Sequence, residues 1–118
     1  VAKRHGVTDF LAVFEGIATT FFDLETDLLV MLDEAGNISR VNPAFERALG
    51  YRELDMLGVA MIRLVDVNDW AVFIRAFSAF ETQPFRLLCS GEGEISVRLI
   101  AARFRAGRGY LVLRKTET

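Results

Sequence analysis

The sequence predicts an α+β fold: one long helix, two strands, a run of short helices and three further strands. Three observations carry that reading. Apolar residues recur at helical spacing from Phe10 to Leu24. Between Asp33 and Gly58, strand-like and helix-like runs are punctuated by Gly36, Gly50 and Gly58. After Pro84, three strand-like segments are separated by glycine-flanked turns, the pattern of an antiparallel meander.

Residues Val1–Val7 show no pattern and read as a frayed lead-in. Thr8 then suits an N-cap, with Asp9 favourable in the first turn. Phe10, Phe14, Ile17, Phe21 and Leu24 form one stripe, bordered by Val13 on one side and by Leu11, Ala18 and Phe22 on the other. That apolar arc spans about half the circumference, wider than the roughly 100° that covers one core. It fits either a single broad packing surface or two partners, the sheet of its own chain and a second chain. Glu25-Thr26-Asp27 breaks the helix, which divides the chain into a 1–26 lead-in and amphipathic helix and a 27–118 core domain.

Leu28–Leu32 reads as a buried strand, Gly36-Asn37 as a hairpin turn with a residue at positive φ, and Ile38–Val41 as the returning strand. Asn42-Pro43 reads as a helix start, Asn42 capping and Pro43 at the first helical position. Gly50 closes that helix in the left-handed conformation, and Tyr51 folds back over its last turn. A second short helix, 52–57, ends at Gly58. The stretch 59–65 is apolar at Val59, Met61, Ile62, Leu64 and Val65 and too short to assign.

Asp66 and Asp69 have the spacing of a capping box. The helix they open carries Trp70, Phe73, Ile74, Phe77 and Phe80 on one face, with Val72, Arg75 and Ala79 facing away, and Pro84 stops it. The strands are expected at 85–90, 94–104 and 110–115. The middle one alternates Ile95, Val97 and Leu99 inward, then slips phase so that Ala102 and Phe104 match the apolar face. One extra residue near Ile100-Ala101, a β-bulge, reconciles the halves. The last strand is apolar on both faces, through Leu111 and Leu113 and through Tyr110 and Val112. A sheet with one wet side does not need that. A wide N-terminal helix covering the outer face explains both excesses at once.

Gly36, Ile38, Asn42, Ala44, Gly50, Tyr51, Glu53, Leu54 and Gly58 stand in this order, with Pro43 beside Asn42. The set resembles the opening of a PAS sensory domain. Met56-Leu57 after Asp55 departs from the pattern, where many members close sooner, and the "H-P-D-D" variant before the long helix keeps only its acidic cap. The resemblance covers roughly 27–116. It implies a five-stranded antiparallel sheet of order 2-1-5-4-3, with short helices on one face and the N-terminal helix on the other.

Composition excludes several function classes. The formal net charge is −2 and no basic run is present, so nucleic acid binding finds no phosphate-neutralising cluster. Arg98, Arg103, Arg105, Arg108, Arg114 and Lys115 crowd the C-terminal part, where they read as the solvent side of strands and a turn. Cys89 is alone, so there is no disulfide framework and no cysteine pair for a metal. No run reaches membrane-spanning length and no signal peptide is visible, so the expected location is cytoplasmic. The start at Val1 reads as an excised piece of a longer protein.

No catalytic residues are expected. The only histidine, His5, lies in the lead-in, so nucleophile–base arrangements lack their base. Gly91-Glu92-Gly93 and Gly107-Arg108-Gly109 read as hairpin turns rather than phosphate loops.

The resemblance implies a non-catalytic sensor module that dimerises and relays a conformational signal to an effector of a longer protein, typically a histidine kinase of a two-component system or a cyclic-dinucleotide enzyme. Haem-binding members generally use a histidine near the long helix; 70–81 holds none. Flavin photosensors carry a reactive cysteine before that helix; Met61–Leu64 holds none. No resident cofactor or metal is therefore expected. The alternative is a sensor that binds a small apolar molecule or a non-covalent flavin, for which Trp70 and Asn68 are the only hints. Its wall is Leu32, Met61, Phe73, Ile74, Phe77, Leu87, Val97, Leu99 and Leu113, and so many bulky side chains read as a filled core rather than an open one. Phe10, Phe14, Ile17 and Phe21 are the expected dimer seam. The family often ends in "D-x-T"; here Arg114 stands two positions before Thr116, where that acid would be.

Overall fold

In a computed structural model of the chain, residues 26–78 and 83–116 are described, apart from the side chains of Phe77, Ser78 and Arg105. The expected N-terminal helix with Phe10, Phe14, Ile17 and Phe21, and the helix end near Phe80, lie outside the described residues.

β1 (Leu28–Leu32) and β2 (Ile38–Val41) form the expected antiparallel hairpin. Asp33 builds its turn: Oδ1 accepts from the N–H groups of Ala35 and Asn37, both at 2.9 Å. Gly36 takes φ 84°, the left-handed geometry expected of it.

Asn42 does more than cap α1 (Pro43–Leu49). Its Oδ1 accepts from Phe45 N–H at 3.1 Å and from Leu29 N–H at 3.0 Å, and its Nδ2 donates to the Asp27 carbonyl at 2.9 Å. The side chain is buried, so these bonds join the first helix to β1 with water excluded. Gly50 ends the helix at φ 82°. A Cβ there would lie 2.7 Å from Ser90 Oγ, so both the backbone angle and the close approach require glycine.

The next helix, α2 (Glu53–Met56), is capped from a distance. Glu46 Oε2 accepts from Glu53 N–H at 2.8 Å, and Glu53 Oε2 accepts from Val41 N–H at 2.9 Å. Two glutamates thus chain α1 to α2 and α2 back to β2.

β3 (Phe85–Leu88), β4 (Glu94–Arg105) and β5 (Arg108–Lys115) complete a sheet of order β2-β1-β5-β4-β3, with every pairing antiparallel. β3 stops at Leu88, short of the expected Ser90, and β5 begins at Arg108 rather than Tyr110. The register of β4 against β5 shifts between Leu99 and Ala101, at the place where the apolar phase slips.

Phe45, Leu49, Met56, Met61, Leu64, Phe73 and Ala76 bury against one sheet face, on Leu28, Val30, Val97, Leu99, Leu111 and Leu113. The alternate residues of the central strands, Leu29, Met31, Tyr110 and Val112, point to the other face and are buried too. Asp27 lies on that second face, and its carboxylate, 2% exposed, binds Arg114 through two bonds of 2.9 Å.

Asn42→Ala removes a cap and leaves the Leu29 N–H buried without an acceptor. The expected loss is about 2–4 kcal/mol, read from the urea midpoint. A loss below about 0.5 kcal/mol would show that the buried bonds are not what joins helix and strand.

Candidate functional site

The segment after Gly58 runs as two 3₁₀ turns, Met61–Leu64 and Val67–Asp69, and then α3 (Trp70–Ser78). Asp66 caps as expected, its Oδ1 accepting from Asn68 N–H at 2.9 Å. Asp69 does not close a capping box. Its Oδ2 accepts from the backbone N–H of Arg86 at 2.9 Å and from Arg86 Nε at 2.8 Å, and Oδ1 accepts from Nη2 at 3.3 Å. Glu94 takes Nη1 at 3.2 Å.

This cluster pins the start of α3 to β3. Hydrogen bonding to Arg86 holds the Asp69 carboxyl below the usual carboxylate range. Asp66 is also lowered, chiefly by the Asn68 N–H. The bond to Asp69 holds the Arg86 proton more firmly than usual.

With its start held this way, α3 buries Phe73 and Ala76, and Val72 packs partly against the core. Ile74, expected inward, is 54% exposed, and Trp70 is 40% exposed with its indole N–H on the Val65 carbonyl at 2.9 Å. The sequence WAVFIRAFS is apolar over much of its circumference, so periodicity alone does not choose the inward face. The anchoring does. Phe73 stands edge-on to Phe85, centroids 5.3 Å apart at 74°.

At the hairpin-turn end of the fold there is an open cavity of about 270 Å³. Leu32, Met61, Ile62, Phe73 and Phe104 wall it, with Ala35, Gly36 and Ala60 at its rim. The structure therefore brings Leu32, Met61 and Phe73 together there. Leu87, Val97, Leu99 and Leu113 are buried in the core and do not line this cavity. Ile74 faces away from the core, and the Phe77 side chain lies outside the described residues. Those four residues belong to the buried centre of the sheet, and this open space lies at its end. Sequence reasoning missed Ile62 and Phe104 as wall residues. The signal for Phe104 was present in its apolar phase after the bulge. Asn68 donates its backbone N–H to the Asp66 cap, Trp70 donates its indole N–H to Val65, and neither lines the cavity. Cys89 is half-buried against the core. Among the described residues, no group of three His, Cys, Asp or Glu converges as a metal site, and no helix is long and apolar enough to cross a membrane.

A family model described as PAS domain matches residues 10–84. No curated protein matches the sequence. Among solved structures, the PAS domain of an HTR-like protein from Haloarcula marismortui aligns with a TM-score of 0.60 and 22% identity, over 96% of this chain and 93% of that one. The PAS domain of the Cronobacter turicensis RpfR quorum-sensing receptor, in complex with C12:0, aligns with a TM-score of 0.59 and 17% identity, over 78% and 95%. The chromophore-binding domain of a bacteriophytochrome from R. palustris gives 0.64 and 18%, over 75% of this chain; the chain spans only 30% of that protein. At these identities the likeness is one of fold.

The folded pKa of Asp69 lies below its unfolded value of about 3.9. Its contribution to stability is therefore present above pH ~4 and is lost as pH falls through the lower, folded value. Asp69→Asn should melt below wild type at pH 7, and the gap should shrink toward pH 3. A gap independent of pH would mean that the Arg86 contact stabilises by shape rather than by charge.

Proposed function

This chain belongs to the PAS domain family, and on that premise we propose that it is the cytoplasmic sensory module of a longer signalling protein, without catalysis of its own, that detects a small apolar molecule. The observation behind this reading is the apolar cavity between Leu32, Met61, Phe73 and Phe104. Its volume suits a small ligand, and its walls touch β1, the 3₁₀ turn at Met61, α3 and β4 at once. A molecule lodged there changes the packing of four elements together. The fold neighbour in complex with C12:0 is consistent with an apolar occupant.

The signal leaves through the second sheet face. Leu29, Met31, Tyr110 and Val112 are buried there, while the described helices bury against the first face. The segment 8–24 is the proposed cover. It places Leu11, Ala18 and Phe22 on the sheet and leaves Phe10, Phe14, Ile17 and Phe21, at near-heptad spacing, as a seam with a second copy. Charge agrees: no Lys or Arg occurs between Arg4 and Arg40, whereas Asp9, Glu15, Asp23 and Glu25 do. Arg40, Arg103 and Arg114 belong to the second face by register. The Asp27–Arg114 pair then couples the start of β1 to the end of β5, from which the chain runs toward an effector of the histidine kinase or cyclic-dinucleotide kind.

Two measurements test this reading. The neutral dye N-phenyl-1-naphthylamine should bind the full chain saturably with enhanced fluorescence, and Met61→Trp, which fills the cavity, should abolish binding while the protein stays folded by circular dichroism. A wild type without saturable binding overturns the ligand reading. In sedimentation the wild type should self-associate with concentration, and the double variant Phe14→Glu, Phe21→Glu should be monomeric. A strictly monomeric wild type overturns the dimer.

A further inference from the structure

The stretch 58–66 crosses the core face of the sheet from edge to edge. β2 and β3 are the outer strands of the sheet, and this stretch bonds to both. At its near end Gly58 N–H donates to the Ile38 carbonyl and Ile38 N–H to the Val59 carbonyl, each at 2.8 Å, while Met61 N–H donates to the Gly36 carbonyl at 3.0 Å. At its far end Val65 bridges Leu87, and Asp66 N–H donates to the Arg86 carbonyl at 2.9 Å. Met61, Leu64 and Val65 are buried in the core cluster. The stretch is a strap tied at both edges.

Its middle is the softest part of the cavity wall. Leu32 stands in a strand paired on both sides, and Phe104 in a strand paired with β5. Phe73 stands in a helix whose start is fixed by Asp69 and Arg86. Met61 and Ile62, which the strap contributes, stand in a 3₁₀ turn, whose hydrogen-bond geometry is poorer than that of an α-helix. Its bonds include Arg63 N–H to the Ala60 carbonyl at 3.0 Å and Val65 N–H to the Ile62 carbonyl at 3.1 Å. Met61 is unbranched, and such a side chain fills irregular space by changing rotamer. At the far end Trp70, the only tryptophan of the chain, donates its indole N–H to the Val65 carbonyl at 2.9 Å without lining the cavity.

Resting on the ligand-sensing reading above, we infer that this strap is the element that reads the cavity. A molecule against Met61 and Ile62 displaces the 3₁₀ turn. The near end is bonded to the β1–β2 hairpin, so the displacement is delivered to Val65 and Asp66 at the edge of β3. There the Trp70 and Arg86 contacts set the start of α3, and that start shifts with occupancy. This route lies on the core face of the sheet and is separate from the relay through the second face.

The test titrates the full chain with 1-octanol, which is transparent where tryptophan is excited. Trp70 emission should shift saturably, with its midpoint at the octanol concentration that displaces N-phenyl-1-naphthylamine. In hydrogen exchange the Asp66 amide should change its rate by at least about threefold at saturation, while the Gly50 amide, bonded to Glu46 outside the strap, should not. Arg63→Gly loosens the turn at an exposed position outside the cavity wall. It should keep the displacement midpoint and lose most of the Trp70 response. Dye displacement with either Trp70 or Asp66 unchanged overturns the strap, and so does a full Trp70 response in Arg63→Gly. Should Arg63→Gly weaken dye binding, the wild-type exchange rates decide alone. A wild type that binds neither dye nor octanol removes the sensing reading itself, and this inference with it.

Discussion

Everything between the first strand and the cavity depends on one buried side chain, Asn42. Its amide and its own backbone together hold Asp27, Leu29 and Phe45. Those partners come from the residue just before β1, from β1 itself and from the first turn of α1. A buried amide whose donors and acceptors are all met can fix three segments at one point; a partly met one would cost more than it holds. From that point the geometry propagates outward. α1 ends at Gly50 against Ser90, Glu46 reaches α2, and Glu53 returns to Val41. Gly58 and Val59 then bond to Ile38, which delivers Met61 to the cavity wall. The helices here are too short to be stable alone, and this relay of side-chain caps replaces the cooperativity that length would supply.

A second anchor sets the opposite wall. Arg86 gathers Asp69, Asp66 and Glu94, and the Asp69 contact includes the backbone N–H of a strand as well as the guanidinium. Such a bond fixes direction, not just proximity. It settles which side of α3 meets the sheet, placing Phe73 on Phe85 and at the cavity while Ile74 points to solvent. The sheet centre is buried over Leu87, Val97 and Leu113, and the cavity at the hairpin end is bounded by Leu32 of β1, Met61 of the 3₁₀ turn, Phe73 of α3 and Phe104 of β4.

The sheet itself is two-sided. Its central strands bury alternate residues on both faces, which is unusual for an antiparallel sheet. Asp27 and Arg114 meet on the second face. A nearly inaccessible carboxylate is tolerable only when its partner approaches with good geometry, and the two bonds of 2.9 Å supply it. The acid that the family often carries near the end of the last strand is here replaced by a base, with the acid on the neighbouring strand.

The sequence by itself determined the order of elements and their punctuation. Gly36, Asn42-Pro43, Gly50 and Gly58 act through local backbone geometry, so their roles were legible without any tertiary information. The bulge near Ala101 was legible for the same reason, since a period of two records a slipped residue directly. Tertiary structure decided what local rules leave degenerate. Trp70–Ser78 is apolar on too many sides for its period to name an inward face, and Arg86, far away in sequence, chose it. Asp69 looked like half of a capping box because spacing records a possible bond, while the bond made depends on which strand lies beside it. The cavity was legible in Leu32, Met61 and Phe73 but not in its extent. Phe104 and Ile62 reach it only because two hairpin ends and a 3₁₀ turn converge, and convergence of segments distant in the chain leaves no mark on the local pattern of any one of them.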